Sequence, residues 1–147
     1  LASRRQRQMC IRDSLKGFIV GDNKFLTDNE GNFLTFTYDG VGGLMAVEGT
    51  TFMDNASQYC LGAGTIPGKG FEMGHCKINQ MDGDTIFTYY EIPLGDSMNG
   101  TFKCLGGTGK YKGIECSGST GYTPINSAQE NKFASSIYFE GEYSLMK

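Results

Sequence analysis

The sequence predicts an all-β protein built from one domain. Its 147 residues include 22 glycines but only three prolines, and no segment shows sustained helical periodicity. Short runs rich in β-branched and aromatic residues alternate with turn-forming residues at regular spacing, which is typical of an antiparallel barrel or sandwich. The length suits a single domain with one sizeable core.

Eight strands are predicted from these runs. The clearest turn is the dipeptide Asp82-Gly83, which lies between apolar runs and is typical of a two-residue hairpin loop. Asp39-Gly40 and Pro67-Gly68 indicate further reversals. The predicted strands are Phe33–Asp39, Leu44–Phe52, Ser57–Gly64, Gly70–Asn79, Thr85–Ile92, Gly100–Leu105, Ile114–Tyr122 and Phe133–Tyr143.

The first fourteen residues differ in character from the rest of the chain. Residues 4–14 resemble a translated sequencing-library adapter, and this stretch contains every arginine of the chain: Arg4, Arg5, Arg7 and Arg12. We therefore expect residues 1–14 to be a non-native tail that is exposed and irregular, with the domain spanning residues 15–147. The alternative is a genuine basic tail that binds nucleic acid or a membrane surface.

Charge and hydropathy exclude several classes of partner for residues 15–147. Nine lysines stand against fifteen acidic residues there, a formal charge of −6, compared with −3 for the whole chain. An acidic domain without arginine lacks the electrostatic footprint of a nucleic-acid-binding protein. No apolar run approaches the roughly 18 residues that a membrane-spanning helix requires, so neither nucleic acid nor a membrane span is expected.

Four cysteines outside the first fourteen residues predict two neighbouring pairs. Cys60 and Cys76 are equidistant from the Pro67-Gly68 turn, and Cys104 and Cys116 are equidistant from Lys110. Each pair can therefore lie on adjacent strands, either as a disulfide or as two thiols. The even count favours an oxidising compartment. We expect a secreted or periplasmic protein whose natural N-terminus, with any export signal, is missing upstream of Leu15.

A two-residue loop at Asp82-Gly83 predicts the register of its hairpin. Ile78 would then face Phe87, Cys76 would face Tyr89, and Gly74 would face Glu91. Because side chains alternate along a strand, these residues would point into the domain. The only histidine, His75, would lie on the outer face, and no metal site is expected.

A glycine-rich segment carries a resemblance to a known family. Gly106-Gly107-Thr108-Gly109-Lys110-Tyr111-Lys112-Gly113-Ile114, the following Ser117-Gly118 and the closing Gly141-x-Tyr143 resemble segments of the allene oxide cyclase-like and dirigent-like barrels. The resemblance implies an eight-stranded antiparallel β-barrel with an apolar cavity, often oligomeric, that steers cyclisation or coupling of reactive lipids or phenols. A phosphate-binding loop is the alternative for Gly106–Gly113, but the segment lacks the Gly-Lys-Ser/Thr ending.

The polar residues of the predicted interior are the candidate site. Glu91 and Tyr89 are the candidate catalytic residues, since desolvation would raise the pKa of a buried carboxyl group into a range useful for acid–base chemistry. The alternative places Glu91 and Glu72 at a solvated barrel rim. The predicted ligand-binding residues are Glu72, Gln58, Phe87, Phe102 and Tyr122.

These observations together predict a barrel that binds a small apolar molecule and guides its cyclisation or isomerisation without a cofactor. Triad-type hydrolysis is disfavoured because the only histidine faces outward. Whether the protein is an enzyme stays open. The competing hypothesis is a non-catalytic secreted barrel that acts as a structural or oligomerising protein, with a second copy of the chain as its partner. A hollow interior would favour the first hypothesis and a filled one the second.

Overall fold

Eight antiparallel strands form a closed barrel in the computed structural model, which describes residues 11–47, 52–95 and 97–145. Each strand pairs with its neighbours in chain order, and β8 returns to β1. The predicted fold class is therefore confirmed. The strands are β1 (Ile11–Thr27), β2 (Phe33–Ala46), β3 (Ala56–Thr65), β4 (Phe71–Asn79), β5 (Thr85–Pro93), β6 (Asn99–Gly107), β7 (Glu115–Ile125) and β8 (Phe133–Ser144).

Strand β1 closes the barrel, and it was absent from the sequence prediction. Residues 11–14 were expected to be irregular, yet they pair with residues 140–143 of β8. That expectation was wrong for these four residues, and residues 1–10 lie outside the described ranges. The alternation of β1 is hard to recognise because apolar Phe18 and Val20 face outward while the inward positions include Gly17 and Gly21. Residues 11–14 thus belong to a paired strand of the barrel, whatever the origin of their sequence.

Strand β2 is one strand where the sequence predicted two. Asp39-Gly40 is not a turn, because both residues pair with β1 in the middle of the strand. The glycines permit an unusually close approach of the two backbones. A Cβ atom at Gly42 would lie 1.7 Å from the carbonyl oxygen of Phe18, and one at Gly21 would lie 1.9 Å from that of Asp39. The sequence thus predicted the correct number of strands, eight, although it missed β1 and divided β2 into two.

The hairpin of β4 and β5 has a three-residue loop, one residue longer than predicted. The backbone N–H of Gln80 donates to the carbonyl oxygen of Asp84 (2.8 Å), and Gly83 adopts a φ of 88° that favours glycine. Ile78 therefore pairs with Ile86 and not with Phe87. A shift of one residue moves every side chain of β5 to the opposite face.

Both predicted cysteine pairs are disulfides. Cys60 of β3 and Cys76 of β4 are directly opposite each other, with their Cα atoms 4.1 Å apart. Cys104 and Cys116 join β6 to the start of β7, with a Cα separation of 4.9 Å. The pairing of Phe102 with Gly118 in β6 and β7 also agrees with the equal spacing of Cys104 and Cys116 about Lys110.

One end of the barrel interior is filled with side chains. Ile78 and Ile86 are completely buried there. Residues 52–55, which precede β3, lie at the same end, where the ring of Phe52 stacks on Tyr143 with 3.8 Å between centroids. The backbone N–H of Met53 donates to the side-chain oxygen of Gln80 (3.1 Å). The core is therefore concentrated at this end, and the other end is free to contain a cavity. Within the described ranges, no helix has the length and apolarity needed to cross a membrane.

The pairing of residues 11–14 predicts a difference between two truncations. Removal of residues 1–14 should lower the thermal midpoint by about 3 °C or more relative to removal of residues 1–10, because only the longer truncation uncovers the paired end of β8. Differential scanning calorimetry of both variants measures this difference. Equal midpoints would mean that the pairing of residues 11–14 contributes nothing to stability.

Candidate functional site

A cavity of about 480 Å³ occupies the end of the barrel opposite the filled one. The loops that follow β1, β3, β5 and β7 surround its opening, which we call the mouth. This volume lies within the range of small-molecule binding sites, roughly 300–1,000 Å³. Most of the wall is apolar and includes Ile19, Phe36, Ile92, Met98, Phe133 and Ile137.

Glu72 is the acidic residue of the cavity wall. It lies on the inward face of β4, and only 5% of its surface is exposed. The hydroxyl of Tyr90 donates to its Oε1 (3.0 Å), and the hydroxyl of Tyr122 donates to its Oε2 (2.9 Å). Strands β4, β5 and β7 thus place one carboxylate between two tyrosine donors.

Tyr38 of β2 extends this network. Its hydroxyl is hydrogen-bonded to the hydroxyl of Tyr90. When Glu72 is ionised, Tyr90 uses its single proton on Glu72, so Tyr38 is the donor in this bond. Space for the Tyr90 hydroxyl comes from a pair of facing glycines, since a Cβ atom at Gly62 or Gly74 would lie 2.6 or 2.7 Å from it. We call Glu72, Tyr38, Tyr90 and Tyr122 the Glu72 cluster.

Burial dominates the protonation equilibria of the Glu72 cluster. Desolvation raises the pKa of Glu72, and the hydrogen bonds from Tyr122 and Tyr90 offset part of that rise. Desolvation also raises the pKa values of Tyr38, Tyr90 and Tyr122. The three tyrosines therefore keep their protons at neutral pH and serve as hydrogen-bond donors.

No basic side chain balances the charge of Glu72 from the cavity wall. Among the described residues that line the cavity there is no lysine, arginine or histidine. The described part of the chain also contains no cluster of histidine, cysteine and acidic residues suited to a metal ion. Neutral tyrosine donors are thus the stabilising contacts that the structure provides for the Glu72 carboxylate.

Gln58 supplies a second polar group at the inner end of the cavity. It lies on β3, opposite Ile78 of the filled end, with 3% of its surface exposed. Its side-chain nitrogen is buried without a hydrogen-bond partner among the described residues. A buried donor without a partner costs about 1–3 kcal/mol. Rotation of the terminal amide exchanges its nitrogen and oxygen, so either atom can be presented to the cavity.

The two candidate catalytic residues lie outside the barrel, contrary to the prediction. The hydroxyl of Tyr89 donates to Oε1 of Glu91 (2.5 Å) on the outer face, where the ring of His75 lies 5.2 Å from that of Tyr89. Phe87 is also on the outer face, with 41% of its surface exposed. The three-residue loop before β5 is the cause, since it turned Phe87, Tyr89 and Glu91 outward and placed Tyr90 inside. The outward position of His75 was predicted correctly.

The remaining predicted ligand-binding residues point into the barrel. Glu72, Gln58 and Tyr122 line the large cavity as predicted. Phe102 is buried but lies outside this cavity, where its ring packs edge-on against Phe139 with 5.0 Å between centroids. Tyr90, which directly follows Tyr89, was not predicted as a site residue. A predicted three-residue loop before β5 would have placed Tyr90 on the inward face.

No protein-family model matches the chain, and no curated protein matches it. The function of the site therefore has to be inferred from its own geometry.

The raised pKa of Glu72 predicts a pH-dependent effect of Glu72→Gln. The ordinary pKa of a glutamate carboxyl group is 4.5. As the pH rises above that value, Glu72 loses its proton in the unfolded chain before it does so in the folded protein. The native protein therefore loses stability as pH rises through the folded pKa, whereas the glutamine variant cannot ionise. The free energy of unfolding of Glu72→Gln minus that of the native protein should increase over this range and then level off.

Urea unfolding at a series of pH values measures this difference. Tyr122→Phe is the companion variant, because it removes a hydrogen bond that favours the ionised carboxylate. In that background the increase should extend to higher pH. A difference between Glu72→Gln and the native protein that does not vary with pH would show that Glu72 is solvated in the folded state.

Proposed function

We propose that this barrel binds a small, largely apolar molecule in its open-ended cavity. The observation that carries the proposal is the cavity of about 480 Å³ with its predominantly apolar wall. A barrel with a purely structural role fills its interior with side chains, as this chain does only at the end around Ile78 and Ile86. Apolar contacts would provide most of the affinity.

Two polar groups would orient the bound molecule. The Glu72 cluster lies along one wall, and Gln58 lies at the inner end of the cavity. Buried polar groups carry a desolvation cost in the empty barrel, so a ligand that bonds to them recovers part of that cost. These groups would distinguish a correctly functionalised ligand from a plain hydrocarbon.

Cofactor-free cyclisation or isomerisation is the catalytic form of this proposal. Glu72 would take the proton-transfer role that the sequence suggested for Glu91, because its carboxylate is buried beside the cavity and its pKa is raised. The similarity of Gly106–Gly113 to allene oxide cyclase-like and dirigent-like barrels is the second reason to propose this chemistry. Binding is the simpler form of the proposal, and it does not require turnover.

We further propose that the protein works in an oxidising compartment, as a secreted or periplasmic protein. Its disulfides, Cys60–Cys76 and Cys104–Cys116, support this location. Disulfides persist in extracellular and periplasmic proteins and are rare where thiols are kept reduced.

A substitution that fills the cavity tests the proposed binding. Ser135 of β8 is buried and lines the cavity, whereas the adjacent Ser136 is exposed on the outer face. Ser135→Phe should reduce the binding of the neutral fluorescent dye prodan at least about tenfold because the new ring occupies ligand space. Fluorescence titration measures the affinity, and Ser136→Phe is the matched control that should leave it unchanged.

Circular dichroism of both variants establishes that the barrel is folded. Ile137→Trp repeats the test at a second position of the cavity wall. Equal dye affinity in the native protein, Ser135→Phe and Ser136→Phe would place the dye outside the barrel and contradict the proposal.

An oligomerising role is the second candidate function, and exposed apolar side chains on the outer face favour it. Phe18, Val41 and Leu61 of β1, β2 and β3 each have more than half of their surface exposed. Such residues are typical of surfaces that associate with another protein. Self-association through this face should make the sedimentation coefficient depend on concentration, and Leu61→Lys should weaken that dependence. A monomer at all concentrations would contradict this role.

A further inference from the structure

The Glu72 cluster has used all of its donors. Tyr38 donates to Tyr90, while Tyr90 and Tyr122 donate to the two oxygens of Glu72. A tyrosine hydroxyl has only one proton, and an ionised carboxylate has none. What the cluster can still offer a ligand is therefore a set of acceptor lone pairs. The part of a ligand that reaches Glu72 has to be a hydrogen-bond donor.

An ionised Glu72 also has no cation beside it among the described residues of the cavity wall. The cavity wall contains four titratable side chains, namely Glu72 and the three tyrosines, and no basic side chain among its described residues. Tyrosine dipoles stabilise a carboxylate less than a full positive charge does, because hydrogen bonds between ionised partners are about twice as strong. A cationic group on the ligand would remove this imbalance.

Aromatic rings surround the same region. Tyr38, Tyr90, Tyr122, Phe36 and Phe133 all line the cavity. Tyr38 and Phe133 pack edge-to-face with 5.6 Å between centroids. Aromatic rings attract cations through their quadrupoles, and cages of such rings are a recurrent means of binding ammonium groups.

We propose that the ligand is a small apolar amine, bound as its ammonium form with the nitrogen at Glu72 and the apolar body along the cavity wall. This inference rests on the proposed binding function and specifies its ligand class. An ammonium group brings the hydrogen-bond donors that the cluster lacks. It also brings the positive charge that the described cavity wall does not provide for Glu72. A neutral alcohol brings only the donor, and a carboxylate brings a second negative charge.

Three ligands of matched size test this inference: 4-phenylbutylamine, 4-phenylbutanol and 4-phenylbutanoate. At pH 7.5 the primary amine is protonated and the acid is ionised. Competition with prodan should give an affinity for the amine about tenfold or more above that for the alcohol, with the acid weakest. Since this ranking is measured on the native protein, it does not depend on the folding of any variant.

Two charge-removing variants localise the effect. Glu72→Gln should reduce amine affinity about tenfold or more and leave alcohol affinity within about twofold. Glu91→Gln removes the same charge from the outer face of the neighbouring strand and should change neither affinity. Equal losses in the two variants would mean that overall charge attracts the amine, and the inference would be overturned.

The results separate this inference from the binding proposal on which it rests. Equal affinities for amine and alcohol, both lost in Ser135→Phe, would overturn the amine inference while supporting an apolar-ligand barrel. If the affinities for all three ligands and for prodan are unchanged in Ser135→Phe, both the amine inference and the binding proposal are overturned.

Discussion

Closure of the sheet by β1 is the constraint on which the rest of the structure depends. This strand pairs with β2 along one edge and with β8 along the other. With both edges of β1 paired, the eight described strands form one continuous hydrogen-bonded wall, and none of them lies at a free edge of the sheet. Gly21 and Gly42 are required for this closure because β1 and β2 approach so closely that a Cβ atom would collide with the opposite backbone.

The two ends of the closed barrel differ in how they are filled. The filled end contains the fully buried isoleucines and the aromatic stack of Phe52 on Tyr143, so that most close packing is found there. The disulfides join neighbouring strands of the wall, β3 with β4 and β6 with β7, and Cys60–Cys76 lines the cavity. Because packing at the filled end and covalent links within the wall hold the barrel together, the mouth end can keep a cavity despite the contacts that an unfilled space forgoes. A stable wall with an open interior is the arrangement that ligand binding requires.

Glu72 shows how the strand register controls chemistry. A carboxylate at this depth is unfavourable. Tyrosines from two other strands, β5 and β7, provide its hydrogen bonds, and Tyr38 of β2 is hydrogen-bonded to one of them. Only a closed barrel brings β2, β4, β5 and β7 around one point, and only the facing glycines Gly62 and Gly74 leave room for the Tyr90 hydroxyl. The same arrangement raises the pKa of Glu72 and uses the donors of the cluster. For the proposed ligand-binding role, this arrangement is the reason to expect a donating, positively charged ligand group and not an accepting or anionic one.

The sequence by itself determined the all-β class, the two cysteine pairs and the inward direction of Glu72, Gln58 and Tyr122. These follow from local signals, since side chains alternate along each strand and the cysteines are symmetric about their turns. The tertiary structure alone decided the face of β5, because one additional loop residue before Thr85 exchanges Tyr89 for Tyr90 and the local sequence is compatible with either loop. It also decided the position of β1, whose apolar residues do not alternate and whose pairing with β8 joins opposite ends of the chain. Tyr38 could be placed beside Glu72 only after that closure, since a contact between strands that are not neighbours in the sheet depends on the curvature of the whole barrel.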